Sequence, residues 1–279
     1  MAVKEAEGRK RQAAAGKASD LEIARDGAIA ILSLSRPELR NSLSESMLAA
    51  LQAAIGEASQ DDGVRVVVIT AKGSVFCAGH DLKELTSHRG DADGGRSYYA
   101  RIMGQCAQLM RAIVACPKPV IAAVQGTATA AGCQLVATCD LAVAAEEATF
   151  CTPGVNIGLF CSTPMVALSR NVPRKRAMEM LLLGEMLPAR AARDYGLVNQ
   201  VVPADKLMGE ALSLARRIAA KPAATVAIGK QAFYRQIEAP FDRALEDAAR
   251  VMVDNMMHAD SKEGIGAFLE KRPADWKDS

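Results

Sequence analysis

Short apolar runs rich in β-branched residues alternate along the chain with segments whose apolar residues recur every three or four positions. The first kind of run is typical of buried strands, and the second is typical of helices with one buried face. Strands that alternate with helices form βα units around largely parallel sheets, so an α/β fold is predicted. The predicted strands are residues 29–34, 65–71, 120–125, 141–144 and 198–202.

Two amphipathic helices are predicted between these strands. Ser44 is placed to cap the first helix, and the second ends before Pro117, because a residue that precedes a proline disfavours helical backbone. Apolar residues at helical spacing pack in a core more often than they contact a cofactor, so we interpret both stripes as core. The stripes are Met47, Leu48, Leu51, Ile55 and Ala58 in the first helix, and Tyr98, Ile102, Cys106, Leu109 and Ile113 in the second.

The strand pattern ends at Pro203, and helices are predicted after it at residues 204–220, 223–237, 241–257 and 261–270. These helices either cover the chain's own core or pack against another subunit, and we favour a homo-oligomer. The chain is thus divided into a flexible tail at residues 1–19, an α/β core at residues 20–203 and a helical region at residues 204–279. The third of these helices carries a continuous apolar stripe of Phe241, Leu245, Ala248, Met252 and Met256.

Charge is balanced, with 34 basic against 32 acidic side chains and a formal net charge of +2. Proteins that bind nucleic acids usually carry a basic excess, so a nucleic-acid partner is not expected. The 7 cysteines show no framework spacing, which indicates free thiols in a reducing compartment. The 3 histidines are too scattered to indicate a metal site. The start of the chain mixes both signs of charge without an apolar run, so a secretory signal is not expected.

Two windows of the chain, residues 119–139 and 148–169, contain no Asp, Glu, Lys or Arg. Each approaches the length of a membrane-spanning helix. The first window contains glutamines and glycines and the second contains two prolines, and these residues argue against a membrane span. The windows are therefore the first places to look for a site in a folded domain.

Two loops next to these windows are placed to expose backbone N–H groups. Residues 74–83 follow a buried strand and turn sharply at Gly79. Residues 119–135 indicate a strand, a loop of small residues and a short helix that begins near Ala131, and the first amides of a helix have no acceptor within it. Donors from the two loops would form an oxyanion hole for a polarised carbonyl group. The alternative is that the small residues only allow close helix packing, and the residues alone leave both interpretations open.

Several motifs follow one another in order between residues 21 and 277. They are residues 76–83 (FCAGHDLK), 118–126 (KPVIAAVQG), 131–135 (AGCQL), 139–142 (CDLA) and 195–198 (YGLV). In this combination the chain resembles the crotonase, or enoyl-CoA hydratase/isomerase, superfamily. Within that superfamily, residues 156–164 (NIGLFCSTP) look most like the branch described as enoyl-CoA hydratase domain-containing protein 3.

The resemblance implies a spiral of ββα units for residues 20–203. It also implies that residues 204–279 drive assembly into trimers or dimers of trimers and complete a CoA site. The backbone N–H groups of His80 and Ala131 would hold the oxygen of an acyl-CoA thioester, and the carbonyl of Ala78 would meet the adenine. The further positions implied to bind the CoA ester are Asp81, Leu82, Lys83, Gly132, Phe268 and Lys271.

The chain departs from the superfamily where hydratases carry two glutamates, which serve as base and acid when water is added. Gln134 occupies the first of these positions and Gly154 the second. Neither residue accepts and returns a proton at neutral pH. Loss of a general acid or base typically costs about 10²- to 10⁴-fold in rate, so efficient hydration is not expected.

Other branches place an aspartate further along the second loop, where this chain has Cys161 and Ser162. Both are candidate catalytic side chains. A packed thiol is favoured for Cys161, because no neighbour in the sequence would lower its pKa, and Ser162 is as well placed to cap the next helix. Asp140, Glu146 and Glu147 fall at a strand end and its turn, where a structural role is favoured.

The sequence therefore predicts an acyl-CoA-binding protein that polarises the thioester carbonyl, nominally a lyase or isomerase of fatty acid metabolism. The competing hypothesis is a non-catalytic CoA-ester sensor or an assembly subunit that uses the same pocket. No metal and no separate cofactor is expected, since CoA is part of the substrate, and no membrane partner is expected. The cytoplasm is the predicted location, with the mitochondrial matrix as the alternative.

Overall fold

The structure is a computed structural model, and it describes residues 20–277. The predicted tail at residues 1–19 lies outside the described residues, as do the last two residues of the predicted helical region. The strands are β1 Leu21–Asp26, β2 Ile29–Leu34, β3 Val66–Ala71, β4 Val75–Cys77, β5 Val120–Val124, β6 Thr127–Thr129, β7 Leu141–Ala145, β8 Thr149–Cys151, β9 Leu187–Pro188 and β10 Gln200–Val202.

Within the described residues, these strands form one sheet of six strands in the order β1-β2-β3-β5-β7-β10 and one of four in the order β4-β6-β8-β9. Only the outer pairs β1–β2 and β8–β9 are antiparallel. All five predicted strands are confirmed, and all lie in the larger sheet. The largest difference in their bounds is at β10, which begins at residue 200 instead of 198.

The smaller sheet was missing from the sequence prediction. Each of β4, β6 and β8 has three residues and follows a strand of the larger sheet after a short turn. Three residues are too few to show an alternating pattern, so the sequence indicates only loops there. Strand, short strand and helix then repeat from β3, from β5 and from β7, as the resemblance implies. The predicted α/β class is confirmed.

Helices surround the two sheets, and 3₁₀ turns occur at Pro37–Leu39, His88–Gly90, Pro153–Ile157 and Ala204–Lys206. The Oγ of Ser44 accepts a hydrogen bond from the Met47 N–H at 3.2 Å, so the predicted cap is confirmed. Both predicted stripes are buried. The helices are α1 Glu45–Gln60, α2 Leu82–Ser87, α3 Arg96–Ala115, α4 Ala131–Thr138, α5 Pro164–Asn171, α6 Arg174–Leu183, α7 Ala189–Asp194, α8 Leu207–Ala219, α9 Ala223–Gln236, α10 Phe241–Met256 and α11 Ala259–Glu270.

Apart from the exposed edge strand β1, the larger sheet is largely buried on both faces, as parallel sheets usually are. One face of β3, with Val67 and Ile69, belongs to the main core. The other face, with Val66 and Val68, is covered by α8 through residues such as Ala211. The first helix after Pro203 thus covers the chain's own core.

The next helices leave apolar side chains uncovered in this single chain. No residue of α9 or α10 is buried. On α10, Phe241 is 76% exposed and Met252 is 59% exposed, and Leu245 and Met256 are exposed as well. The predicted homo-oligomer would cover this stripe.

A half-buried polar cluster connects α9 to the sheet. The Nζ of Lys230 lies 2.7 Å from Asp140 Oδ2, and the hydroxyl of Tyr234 donates to Asp140 Oδ1 at 2.8 Å. Burial beside this carboxylate raises the pKa of Tyr234. Because Asp140 also accepts from the Val120 N–H at 2.6 Å, its favoured structural role agrees with these contacts.

The charge-free windows fold as β5-β6-α4 and as β8, a 3₁₀ turn and α5. None of the helices within residues 20–277 combines the length and the apolar character that a membrane crossing needs. All seven cysteines are buried and free of disulfides.

Candidate active site

Three loops meet at one edge of the smaller sheet. They follow β4, β6 and β8, which are parallel, so their carboxyl ends lie together. The first loop carries Gly79 and His80, the second leads directly to Ala131, and the third contains Gly154. The site thus combines segments that lie more than 70 residues apart in the sequence.

The turn after β4 directs the amide of His80 away from its neighbouring segment. Leu43 pairs with His80 in a parallel bridge. In this bridge Leu43 N–H donates to the Gly79 carbonyl at 2.7 Å, and the Leu43 carbonyl accepts from Asp81 N–H at 3.4 Å. The intervening amide of His80 therefore points to the opposite side, where no described residue accepts its hydrogen bond. Gly79 makes this turn with φ +86°, a left-handed conformation that favours glycine.

The second donor is the amide of Ala131, the first residue of α4, which has no acceptor within its own helix. Ala130 precedes it with φ 50° and ψ −118°, and its own N–H donates to the Cys151 carbonyl at 3.0 Å. A Cβ atom on Gly79 would lie 3.2 Å from the nitrogen of Ala131. The turn that presents His80 is thus in contact with the start of α4.

Two hollows lie next to the contact between the Gly79 turn and the start of α4. The outer cleft has a volume of about 760 Å³ and is lined by charged residues including Arg40, Asp81 and Lys83. The inner cavity has a volume of about 520 Å³ and is lined largely by apolar residues such as Met103 and Phe160. The wall that they share consists of Ala78, His80, Leu82, Thr129 and Pro153.

His80 has a side chain whose environment is unusual for a titratable group. Its Nε2 atom is buried and has no hydrogen-bond partner among the described residues. Burial also lowers the pKa of the imidazole, because the charged form loses its hydration. The ring is therefore neutral at pH 7.

Gln134 lines a different hollow from the one that His80 and Ala131 line. It lines a third cavity of about 620 Å³, together with Met110 and Val166, and it does not line the inner cavity. Gln134 lies almost one helical turn beyond Ala131 along α4. At that point of the helix, the side chain is next to the third cavity. Its Oε1 atom is buried without a partner among the described residues. In the single chain, the two replaced glutamate positions thus line different hollows.

Gly154 does line the inner cavity, and the space for a side chain there is occupied. Its N–H donates to Cys161 Sγ at 3.3 Å. A Cβ atom on Gly154 would lie 3.0 Å from Cys161 Sγ and 3.0 Å from the Leu159 carbonyl oxygen. Burial raises the pKa of the Cys161 thiol. The favoured packed thiol agrees with these contacts.

Ser162 lines the inner cavity but does not cap the following helix. The cap position of α5 is Thr163, because Pro164 fixes the first helical residue. The hydroxyl of Ser162 instead points to the carbonyl of Phe160 at 3.4 Å. The capping alternative for Ser162 is therefore wrong.

The positions expected to bind the CoA ester are only partly brought together. Ala78, Asp81, Leu82 and Lys83 line the outer cleft. The carboxylate of Asp81 also caps α2, accepting from Lys83 N–H at 2.9 Å and Glu84 N–H at 3.1 Å. Gly132 serves close packing, because a Cβ there would lie 2.2 Å from the Cys77 carbonyl oxygen.

Phe268 and Lys271, at the end of α11, do not line the outer cleft or the inner cavity. Phe268 is 82% exposed in the single chain. Their expected contact with CoA would thus require the cleft of a second subunit. No group of metal-ligating side chains is found within residues 20–277.

Sequence reasoning missed two polar side chains that hold the outer cleft in shape. Thr129 Oγ1 donates to the Ala78 carbonyl at 3.0 Å, which leaves that oxygen one lone pair for a ligand. The amide of Asn41 donates to the Lys72 and Val75 carbonyls at 2.9 and 2.7 Å, and so fixes the loop before α1 against β4. The burial of Asn41, which is complete, has no signal in the sequence pattern.

The chain is similar to known proteins over most of its length. Residues 24–279 match the family described as Enoyl-CoA hydratase/isomerase. The chain is 47% identical over 243 residues to the mitochondrial enoyl-CoA hydratase domain-containing protein 3 of Homo sapiens, covering 87% of this chain and 78% of that protein. The crystal structure of that human protein has a TM-score of 0.88 at 46% identity, covering 92% of this chain and 100% of the other. An enoyl-CoA hydratase structure from Mycobacterium smegmatis has a TM-score of 0.88 at 51% identity, covering 92% and 98%.

We predict that Gly79→Ala destabilises the protein and displaces the amide of Ala131. The left-handed backbone costs a residue with a side chain about 1–3 kcal/mol, and the new Cβ would lie 2.9 Å from the Cβ of Ala130. The free energy of unfolding in urea should fall by about that amount. Gly56→Ala in α1 is the matched control, since no atom beyond the nearby backbone of its own helix and its chain neighbours lies within 4 Å of its Cβ position, and it should be neutral or stabilising by up to about 1 kcal/mol. Equal stability of Gly79→Ala and wild type would contradict the prediction.

Proposed function

The chain belongs to the enoyl-CoA hydratase/isomerase family, and we propose that it binds acyl-CoA thioesters with the carbonyl oxygen held by the amides of His80 and Ala131. Its similarity to enoyl-CoA hydratase domain-containing protein 3 confirms the predicted branch. The observation that carries the proposal is the contact between two loops whose amides have no acceptor among the described residues. This contact lies between a polar cleft and an apolar cavity, which suits a thioester joining CoA to an acyl chain.

The two amides would favour reaction at the thioester, because negative charge on the carbonyl oxygen grows as an enolate or a tetrahedral intermediate forms. Fixed N–H donors stabilise that charge more than they stabilise the neutral carbonyl group. The donor of Ala131 also lies at the start of a helix, where the aligned peptide dipoles add positive potential. Both donors belong to the backbone, so the binding step requires no side chain.

The outer cleft would hold the CoA portion. Arg40 and Lys83 line it and provide positive charge for phosphate groups. The Ala78 carbonyl retains one lone pair beside its bond from Thr129, which leaves an acceptor for the adenine amino group. The apolar cavity beyond the shared wall would take the acyl chain.

Hydration by a pair of carboxylates is not expected at this site. Among the residues that the structure describes, no Asp or Glu lines the inner cavity, and its titratable side chains are His80 and Cys161. This observation also favours the second candidate function, a CoA-ester sensor or assembly subunit that binds without turnover. The two functions share the same site and differ only in whether a product is released.

We also propose a homo-oligomer, a trimer or a dimer of trimers. The apolar stripe on α10 is exposed in the single chain, and Phe268 and Lys271 lie away from their own cleft. Burial of exposed apolar surface between subunits is favourable, at about 25 cal/mol for each Å² removed from water. Assembly would cover the stripe and bring α11 to the cleft of a neighbour.

The names of the vertebrate relatives describe them as mitochondrial proteins. In a eukaryotic cell, these names support the mitochondrial matrix as the location of the protein. In a bacterial host, the cytoplasm remains the proposed compartment. Free thiols are stable in either compartment, because both keep cysteines reduced.

Isothermal titration with octanoyl-CoA and with its thioether analogue, which lacks the carbonyl oxygen, tests the proposed binding. The thioester should bind more tightly by about 1–3 kcal/mol, roughly 5- to 150-fold in Kd, because only the thioester accepts the two hydrogen bonds. Absence of binding by the thioester at millimolar concentration would refute the proposed function. Equal affinity of the two ligands would refute the role of the two amides.

Gln134→Glu alone should not give efficient hydration of crotonyl-CoA. The new carboxyl group would lie in the third cavity, and Gly154 would still lack a carboxylate. Adding Gly154→Glu should not restore activity either, because its Cβ would lie 3.0 Å from both Cys161 Sγ and the Leu159 oxygen. The loss of enoyl absorbance measures the rate, and robust hydration by the single variant would overturn the assigned positions.

Leu245→Lys should lower the mass of the assembly measured by sedimentation equilibrium. The substitution places a charge within the apolar stripe of α10, where Leu245 is 56% exposed in the single chain. Glu246→Lys, on the adjacent and already charged face of the same helix, is the matched control and should leave the mass unchanged. A wild-type protein that sediments as a monomer would contradict the proposed assembly.

A further inference from the structure

Within residues 20–277, His80 is the one titratable side chain that lines both the outer cleft and the inner cavity. It belongs to the wall between the outer cleft and the inner cavity, whose other members are Ala78, Leu82, Thr129 and Pro153. None of these four carries a group that titrates between pH 2 and 12. A thioester that joins contents of the cleft to contents of the cavity would cross this wall. The imidazole is therefore the titratable group at the level of the proposed thioester.

The imidazole of His80 is neutral and can therefore accept a proton. Burial keeps the ring neutral, and a neutral ring with its proton on Nδ1 leaves the lone pair of Nε2 free. Nε2 is buried without a partner among the described residues. Buried polar atoms nearly always have a hydrogen-bond partner, so an unpartnered nitrogen at a ligand site points to a water or ligand as the missing partner.

The polar side chains nearest to His80 in these two hollows, those of Cys161, Asp81 and Ser162, already take part in hydrogen bonds. Cys161 accepts the Gly154 N–H at its sulfur, and burial raises the pKa of the thiol, which keeps it protonated. Asp81 accepts two amides at the start of α2. The hydroxyl of Ser162 is directed to the carbonyl of Phe160. His80 is thus the side chain at the shared wall that is free to take a proton.

Given the proposed binding of acyl-CoA, we infer that His80 is the general base of a thioester hydrolysis in which water is the nucleophile. The substrate class is an acyl-CoA, and the products are a carboxylic acid and free CoA. The same residue would serve twice, since its amide would hold the carbonyl oxygen and its ring would activate the water.

Hydrolysis is favoured over addition of water to a double bond because of where the ring lies. The carbonyl carbon is the reactive atom closest to the amides that hold its oxygen. In the proposed binding mode, the β-carbon would lie two bonds further into the inner cavity, away from the shared wall. The family's two glutamate positions offer no base there, since Gln134 lies in the third cavity and Gly154 has no side chain.

The hydrolysis consumes only the acyl-CoA and one water molecule, and His80 ends in its starting protonation state. Nε2 takes a proton from water as the water oxygen bonds to the carbonyl carbon, and the electron pair of the carbonyl π bond moves to the oxygen held by His80 and Ala131. That pair then returns, the carbon–sulfur bond breaks, and its electron pair leaves with the sulfur of CoA. The imidazolium gives its proton to this sulfur, which restores the neutral ring.

The experiment compares wild type with His80→Gln and His80→Ala on octanoyl-CoA. Release of free thiol and of octanoic acid measures hydrolysis, and calorimetry with the non-hydrolysable thioether measures binding. Both variants keep the backbone N–H, so binding should change less than about threefold, whereas hydrolysis should fall by about 10²- to 10⁴-fold. Exogenous imidazole should restore part of the rate in His80→Ala, which leaves room for it, and should not do so in His80→Gln. His88→Gln is the matched control, because His88 lines neither hollow and its ring contacts Asp91 and Tyr98.

The measurements distinguish hydrolysis by His80 from the binding of acyl-CoA on which it rests. If wild type binds acyl-CoA but releases no thiol, or if His80→Gln hydrolyses as fast as wild type, the inference is wrong and the proposed binding stands. Formation of 3-hydroxyacyl-CoA from an enoyl-CoA with no free thiol would also overturn it. If wild type binds no acyl-CoA, the proposed function fails and the inference fails with it. Retained binding in His80→Gln shows that the variant is folded.

Discussion

The site depends on a direct contact between backbones. The segment around β4 and the segment around β6 and α4 touch without side chains between them. A Cβ on Gly126 would lie 2.0 Å from the Ser74 carbonyl oxygen, and one on Gly132 would lie 2.2 Å from that of Cys77. These distances are far below van der Waals contact, so no other residue fits at either position. The contact fixes where α4 begins, and with it the amide of Ala131 relative to that of His80.

The larger sheet and its helices were predictable because their signals are long and periodic. The stripe at Met47, Leu51 and Ile55 is buried as its spacing indicates, and β2 has the predicted bounds. The amide positions at His80 and Ala131 were predictable only through the motifs that contain them. The smaller sheet was not predictable, since each of its parallel strands is three residues long. Secondary structure of this length is determined by tertiary contacts and leaves little pattern in the sequence.

The position of Gln134 was not predictable for a related reason. The sequence places this residue on a short helix of which every residue is buried, so burial alone does not say which hollow a side chain enters. The same helices border two cavities: Met103 and Pro164 line the inner one, while Met110 and Val166 line the third. A residue's place along α4 decides between them, and that place depends on how α3 and α5 pack. The two charge-free windows thus line two adjacent hollows, only one of which adjoins the shared wall.

The turn at Gly79 also bears on how this protein responds to mutation. Its backbone directs the amide of residue 80 toward the site, and every amino acid except proline carries that amide. Substitutions at residue 80 therefore change the ring, charge or size beside a bound carbonyl while the donor to its oxygen remains. In genetic terms, selection can act on the chemistry at this position without first losing recognition of the thioester. A lineage can then lose one reaction and acquire another while it remains, at each step, a binder of the same class of compound.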